Sequence, residues 1–159
     1  MVEQLLSSGG GWQDQAHGVL PGIKTVRSQP PQIPLAIQVE QLDVSANQIQ
    51  SLEKRLVFVF TGKTRLAKNI LQQVLRRWSK RTHEIVETVQ GLVDASENLR
   101  SAALNGDWDT VAEYMDKSFG LKCVMAGESS GALPSGVKVF CEELKVRGLI
   151  NGAMLCGAG

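Results

Sequence analysis

Residues 55–78 decide the fold and read RLVFVFTGKTRLAKNILQQVLRRW. The first part, Arg55–Phe60, is rich in β-branched and aromatic residues and predicts a strand that is apolar enough for the centre of a sheet. From Thr64 onward the apolar residues recur at every fourth position, which predicts an amphipathic helix. These residues are Leu66, Ile70, Val74 and Trp78. A strand that leads directly into a helix indicates a chain of mixed α and β structure.

Three more helices are predicted towards the C-terminus. Apolar residues with nearly heptad spacing predict a helix over residues 85–103, which ends at Asn105-Gly106. Asp107 is suited to cap the next helix, which carries Trp108 and Phe119 on its apolar side. The last helix begins at Pro134, buries four residues and ends at Gly148, after which a strand begins. The four residues expected to be buried are Val137, Phe140, Cys141 and Leu144.

The N-terminal third is predicted to contain the end of a helix, a turn-rich connection and one strand. Residues 2–8 are typical of the end of a helix, which Gly9-Gly10-Gly11 terminates. Residues 17–34 are rich in glycine and proline and predict a connecting segment. Leu35, Ile37 and Val39 then alternate with polar or small residues, which predicts a strand with one buried face.

Composition excludes several classes of protein. The chain has 159 residues, of which 21% are charged and 43% hydrophobic, so it can bury one core and is not disordered throughout. No apolar run approaches the ~20 residues that cross a bilayer, and no signal peptide is visible. Three cysteines without CxxC spacing, and two histidines far apart, predict neither disulfides nor a metal site. We therefore expect a cytoplasmic protein that does not bind membranes.

Basic residues are concentrated in the middle of the chain. Residues 55–81 contain eight basic and no acidic residues, although the formal net charge of the whole chain is +1. Such a block is typical either of a solvated helix face or of a nucleic-acid surface. No aromatic side chain is expected to be exposed between the charges for base stacking, so we favour the solvated face and expect no nucleic-acid partner.

Thr61-Gly62-Lys63-Thr64 suggests a P-loop, in which backbone amides and a lysine bind phosphates. That pattern requires a glycine five positions before Gly62, where Val57 stands. A strand-to-helix turn capped by threonine is therefore favoured. Lys63 and Arg65 nevertheless stand at the start of a predicted helix, where cations oppose the helix dipole, and this placement can indicate an anionic ligand nearby.

Two other segments contain residues suited to a ligand site. In Gly9-Gly10-Gly11-Trp12-Gln13-Asp14-Gln15 the glycines let the backbone approach a ligand closely, and Asp14 has no adjacent base. Such a carboxylate can accept a hydroxyl proton, although spacing alone equally suits a solvated aspartate in a turn. The small residues of the C-terminal segment Gly152–Gly159 can form an anion-binding nest, but glycine-rich termini are common.

Taken together, these segments resemble the GHMP family of small-molecule kinases, and within it the kinases that act on L-fucose. The resemblance is carried by GGGWQDQ at residues 9–15, LPGIK at 20–24, TGKTRLAKNILQ at 61–72 and GAG at 157–159. It implies an ATP- and Mg²⁺-dependent transferase that phosphorylates the anomeric hydroxyl of L-fucose, as in fucose salvage towards GDP-fucose. The sugar and ATP are then the expected partners.

The resemblance also assigns roles to residues. Asp14 is the expected catalytic base, or the residue that orients the sugar hydroxyl. The expected substrate-binding residues are Gly10, Gly11, Gln15, Lys63 and Arg65. Gly157, Ala158 and Gly159 are expected to support the ATP site.

The fold implied by the resemblance is an α+β, two-lobed kinase. Residues 1–63 would end the N-terminal, S5-like lobe, and residues 64–159 would form a helix-rich, ferredoxin-like C-terminal lobe that stops within its glycine-rich motif. The family's main ATP-binding motif lies upstream of the Asp14 region, so we expect a fragment that is inactive alone. Alternatives are another GHMP sugar-1-kinase such as a heptose-phosphate kinase, the kinase half of a bifunctional fucokinase–pyrophosphorylase, or a non-catalytic helical interaction module.

Overall fold

The computed structural model describes residues 11–28, 36–60, 68–127 and 136–156. Within these ranges six helices and a two-stranded antiparallel sheet follow one another along the chain. They are α1 (Gln13–Val19), β1 (Lys24–Ser28), β2 (Ile37–Gln41), α2 (Ala46–Glu53), α3 (Lys68–Ser79), α4 (His83–Asn105), α5 (Trp108–Ala126) and α6 (Val137–Val146). None of these described helices is long and apolar enough to cross a membrane.

The antiparallel pair α4–α5 contains the hydrophobic core. Its buried apolar residues are Ile85, Ala95, Ala102, Ala103, Trp108, Phe119 and Ala126. Several of them are small, which lets the two helices approach closely; a Cβ added at Gly91 would lie 3.2 Å from Cδ1 of Leu121 across the interface. Both helices were predicted from the apolar spacing, and both are confirmed.

The turn between α4 and α5 follows from three consecutive residues. Gly106 has a φ of 69°, a left-handed conformation that glycine adopts without strain. The amide of Gly106 donates to the carbonyl of Ala103 (3.1 Å), and the amide of Asp107 donates to that of Ala102 (3.0 Å), which closes α4. Asp107 then accepts a hydrogen bond from the amide of Thr110 (3.1 Å), and hydrogen bonding from Thr110 lowers the pKa of Asp107. The predicted end of one helix and cap of the next are confirmed.

The β1–β2 hairpin shows an unexpected choice of buried face. Strand β2 was predicted and is formed, but the expected burial of its apolar side is not found, because Ile37 and Val39 are each 40% exposed. The register pairs Val26 with Val39 and Arg27 with Gln38. Because side chains alternate along a strand, Arg27 and Glu40 share the opposite face from these valines. Helix α1, strand β1 and helix α2 were not predicted, and the expectation that residues 17–34 are only a connection is wrong for the end of α1 and for β1. Ser45 and Gln48 form a capping box at the start of α2.

The predicted central strand Arg55–Phe60 is not formed in the described part of the chain. Residues 56–60 have no strand partner there, and the side chains of Phe58 and Phe60 are 80% and 79% exposed. The physical reason is that a central strand needs a neighbour on each edge, and the only sheet among the described residues contains β1 and β2 alone. Residues 55–60 have the composition of a strand, but the prediction that they are buried in the centre of a sheet is wrong for the described structure.

The last predicted helix is confirmed as α6, which ends just before Gly148 with its φ of 67°. Its burial was overestimated: Val137, Cys141 and Leu144 are only half-buried, and Phe140 is 50% exposed. The reason is that the tie from α6 to α5 is polar, with Nζ of Lys145 at 2.9 Å from each carboxylate oxygen of Asp116.

The predicted C-terminal strand from Leu149 is also not formed in the described residues up to 156. That segment packs closely on α5 instead, since a Cβ built on Gly152 would lie only 1.9 Å from the carbonyl oxygen of Ala112. Asn151 adds a hydrogen bond of 2.9 Å from its Nδ2 to Oδ1 of Asp109. The segment is thus held on α5 by a close backbone approach and by a side-chain hydrogen bond, not by strand pairing.

Candidate functional site

Asp14 lies in the first turn of α1, and its side chain is exposed. Trp12, the N-cap residue of α1, makes no side-chain capping bond. The first backbone hydrogen bond of the helix runs from the amide of Ala16 to the carbonyl of Trp12 (3.1 Å). A carboxylate in the first helical turn is favoured by the helix dipole. Within the described ranges no hydrogen bond or ion pair engages this carboxylate, so it remains able to accept a proton from a hydroxyl group.

Two other predicted site residues lie beside Asp14. Gly11 is exposed just before α1, and a Cβ there would be 2.0 Å from Oε1 of Gln13, so the Gln13 side chain folds back over a position that has no side chain of its own. Gln15 is half-buried on α1. Gly11, Asp14 and Gln15 are therefore brought together at one helix end.

The remaining predicted site residues lie outside the described residues. They are Gly10, Lys63, Arg65, Gly157, Ala158 and Gly159. Their proximity to Asp14 stays a prediction.

The connection that follows α1 is held by side chains of the hairpin. Nε2 of Gln41 donates to the carbonyl of Pro21 (3.0 Å), and Lys24 donates through Nζ to the carbonyls of Leu20 and Gly22, the latter at 3.4 Å. The amide of Leu42, just after β2, donates to the carbonyl of Ile23 (2.9 Å). Helix α1 itself lies against β1. The position of Asp14 thus depends on the position of the hairpin.

Four charged residues join the hairpin to α4. The guanidinium of Arg27 on β1 binds Glu97 on α4, with Nη2 at 2.7 Å from each carboxylate oxygen and Nε at 3.0 Å from Oε1. Arg27 also reaches Oε2 of Glu40 through Nη1 (3.1 Å). Arg100 on α4 binds the same Glu40 carboxylate with Nη2 on Oε1 and with Nε at 2.9 Å from Oε2. We refer to Arg27, Glu40, Glu97 and Arg100 as the ionic cluster.

Electrostatics within the ionic cluster centre on Glu40. Its carboxylate accepts hydrogen bonds from two guanidinium groups, and those from Arg100 and then Arg27 lower the pKa of Glu40 to about 2. The pKa of Arg27 is raised by its hydrogen bonds to Glu97 and then to Glu40, and that of Arg100 is raised by its hydrogen bonds to Glu40. The sequence analysis missed this cluster because its partners are 13 to 70 positions apart and share no local motif.

The basic end of α3 was the other candidate surface. Its aromatic residue, Trp78, is covered by the guanidinium of Arg81, which lies 4.1 Å from the ring centroid. Arg77 pairs with Glu84 on the next helix at 3.2 Å. Both contacts use groups that a nucleic-acid surface would need for bases or phosphates. The expectation that no aromatic side chain is exposed within the basic block is wrong, however, because Phe58 and Phe60 are 80% and 79% exposed and have no strand partner among the described residues.

The described residues do not by themselves fit a resident metal ion. Among them no group of three or more histidine, cysteine, aspartate or glutamate side chains is placed to hold one. Carboxylate oxygens are the protein ligands that Mg²⁺ prefers.

Two curated proteins that are similar to this chain both have fucokinase in their names. The chain is 39% identical over 121 residues to a bifunctional fucokinase/GDP-fucose pyrophosphorylase from Arabidopsis thaliana. It is also 38% identical over 77 residues to an L-fucokinase/L-fucose-1-P guanylyltransferase from Bacteroides fragilis. The chain is therefore similar to part of two proteins that are named as fucokinases. These matches cover 76% and 47% of the chain.

The region that matches this chain is a small part of each relative. The matches span 11% of the Arabidopsis protein and 8% of the Bacteroides protein, so the chain spans about a tenth of the length of these curated relatives. No family model matches the chain. No solved structure matches it either.

Proposed function

We propose that this chain supplies the catalytic aspartate of an ATP-dependent GHMP-type kinase that phosphorylates the anomeric hydroxyl of L-fucose. The observation that carries the proposal is the exposed Asp14 carboxylate at the start of α1, which no described residue engages. The two fucokinase-named relatives support the choice of reaction.

The chemistry asked of Asp14 is modest. It accepts the proton of the anomeric hydroxyl, or orients that hydroxyl, while the sugar oxygen forms a bond to the γ-phosphorus of ATP. The bond from that phosphorus to the leaving oxygen breaks, and ADP departs. Phosphoryl transfer depends mainly on positioning and charge stabilisation, so a residue that aims the nucleophile is sufficient. The Gln13 side chain, which lies over Gly11, would have to move for a sugar to approach Asp14 from that side.

A segment exchange tests the proposal in a complete enzyme. The stretch of the Arabidopsis relative that corresponds to this chain is replaced by residues 1–159, and both activities in that relative's name are measured. We expect the chimera to phosphorylate L-fucose with ATP and to form GDP-fucose from fucose 1-phosphate and GTP. The second activity is an internal control for folding of the remainder of the enzyme.

The sugar is identified in the same assay. L-Fucose, D-galactose, D-mannose and a heptose 7-phosphate are compared at equal concentration. A preference for the heptose phosphate would replace fucose by the alternative sugar-1-kinase function. Loss of all sugar phosphorylation, with the GDP-fucose activity intact, would favour the non-catalytic helical module.

A further inference from the structure

The hairpin is attached to the helical pair by its polar face. Arg27 and Glu40 lie on the face that binds Glu97 and Arg100, and Val39 lies on the opposite face. A two-stranded hairpin is marginally stable alone and needs a partner surface. Among the described residues, the side chains that attach the hairpin to the helical pair are charges on one helix, α4.

A continuous path of contacts leads from these charges to Asp14. The ionic cluster fixes β1 and β2 on α4. Lys24 and Gln41, one at the start of β1 and the other at the end of β2, bind the turn after α1 through the carbonyls of Leu20 and Pro21. Because α1 also lies against β1, its location follows that of the hairpin.

We propose that the ionic cluster positions helix α1, and with it Asp14, relative to the α4–α5 pair, with Glu40 as the central positioning residue. The role given to Asp14 rests on the proposed function, but the positional coupling does not. Glu40 is central because both arginines bind it, so the loss of its charge removes the contact of Arg100 with the hairpin and one of the four hydrogen bonds of Arg27, whose other three go to Glu97. Arginine forks on carboxylates fix direction as well as distance, which suits a positioning device.

The exposure of the cluster makes the coupling sensitive to salt. The side chains of Arg27 and Glu40 are each 40% exposed, and those of Glu97 and Arg100 are 50% and 29% exposed. Charge pairs with this access to solvent are screened when the Debye length falls to ~3 Å at 1 M salt. An apolar attachment would instead be strengthened or left unchanged by salt.

Hydrogen exchange in the full 159-residue chain tests the coupling without any kinase assay. Amides of residues 16–19 in α1 are followed in the wild type and in Glu40→Gln. We expect the exchange of these amides to accelerate roughly three- to tenfold, because the variant loses the ion pairs of Glu40 with Arg27 and Arg100. Exchange of amides in the middle of α4 should be unchanged. In the wild type, 1 M NaCl should produce a similar acceleration, and in Glu40→Gln it should add little.

Glu143→Gln is the matched control. Glu143 also pairs with an arginine, Arg147, but within α6, so its loss should leave α1 exchange unchanged. A double-mutant cycle adds Arg100→Gln, whose effect on α1 should nearly vanish once Glu40 has been replaced.

Three results would overturn the coupling: unchanged α1 exchange in Glu40→Gln, an equal effect of Glu143→Gln, or an unchanged α1 in 1 M salt. The salt measurement needs no variant, so the outcome does not depend on folding of Glu40→Gln. In the chimera, Glu40→Gln should lower kcat for fucose phosphorylation severalfold with little change in KM. If Asp14→Asn is fully active there, the proposed function fails while the exchange result still decides the coupling.

Discussion

The α4–α5 pair and the β1–β2 hairpin are attached to their surroundings by opposite physical means. The helices pack through buried apolar residues such as Ile85 and Phe119, and the hairpin is held on α4 by the ionic cluster. In the first region the apolar pattern points to the partner, and in the second it points away. Periodicity therefore identifies the docking face only where the docking itself is apolar.

The largest expected effect is in the helical core. Phe119→Ala removes an aromatic side chain that is 8% exposed and should lower the free energy of unfolding by ~3–5 kcal/mol. Phe140→Ala on α6 is the matched control: that ring is 50% exposed, and its loss should cost well under half as much. Urea unfolding followed by far-UV circular dichroism measures both. Equal costs would contradict the assignment of the core to α4–α5.

The next effect tests the outer side of α5. Gly152→Ala would place a methyl group against the Ala112 carbonyl and should destabilise by ~1–3 kcal/mol. Gly120→Ala is made on α5 where nothing lies within 4 Å, and it should stabilise by ~0.5–1 kcal/mol through helix propensity. Thermal unfolding of the two variants should shift in opposite directions. A shift in the same direction would show that residues 150–155 do not rest on α5.

A smaller effect concerns the segment between the two regions. Ser45 caps α2 and, with Gln48, completes its capping box. Ser45→Ala should cost ~1 kcal/mol in the free energy of unfolding. Ser101→Ala, at an exposed position inside α4, should be neutral or slightly stabilising, and a cost as large as that of Ser45→Ala would contradict the assigned cap.

The smallest effect is acid release of the hairpin. The folded-state pKa of Glu40, about 2, lies below its ordinary 4.5, so its stabilising contribution is present above pH 4.5 and is lost as the pH falls towards 2. The pKa of Asp107 is also lowered, by hydrogen bonding from Thr110, so the stability that this cap gives to the α4–α5 turn is likewise lost in acid. NMR signals of β1 and α1 should therefore change between pH 4.5 and pH 2 before helical ellipticity falls. Glu40→Gln should remove the early change, and its persistence would assign that change to another group.

Local signals account for the parts of the fold that the sequence predicted. Asn105-Gly106-Asp107 carries both the stop of one helix and the cap of the next, and both are observed. The Ser45–Gln48 capping box was also present in the sequence and would have identified α2. The arrangement in two lobes remains a prediction.

Non-local interactions account for the rest. Whether Leu56–Phe60 forms a strand depends on partner strands that no local pattern specifies. Arg27 and Glu97 are 70 positions apart in the sequence, and no local motif around either residue indicates that they form a pair. The motif around Asp14 could be recognised in the sequence. The contacts of Gln41 and Glu40 that attach the Asp14 region to the hairpin and to α4 could be found only in the structure.

The kinase activity of the Asp14→Asn chimera tests the central claim most directly. With Asp43→Asn, an exposed aspartate after β2, as the matched control, kcat for L-fucose phosphorylation should fall by ~10²–10⁴ in Asp14→Asn alone. The GDP-fucose-forming activity should stay at the level of the parent chimera in both variants. Undiminished fucose phosphorylation by Asp14→Asn would contradict the claim that this carboxylate handles the proton of the sugar hydroxyl.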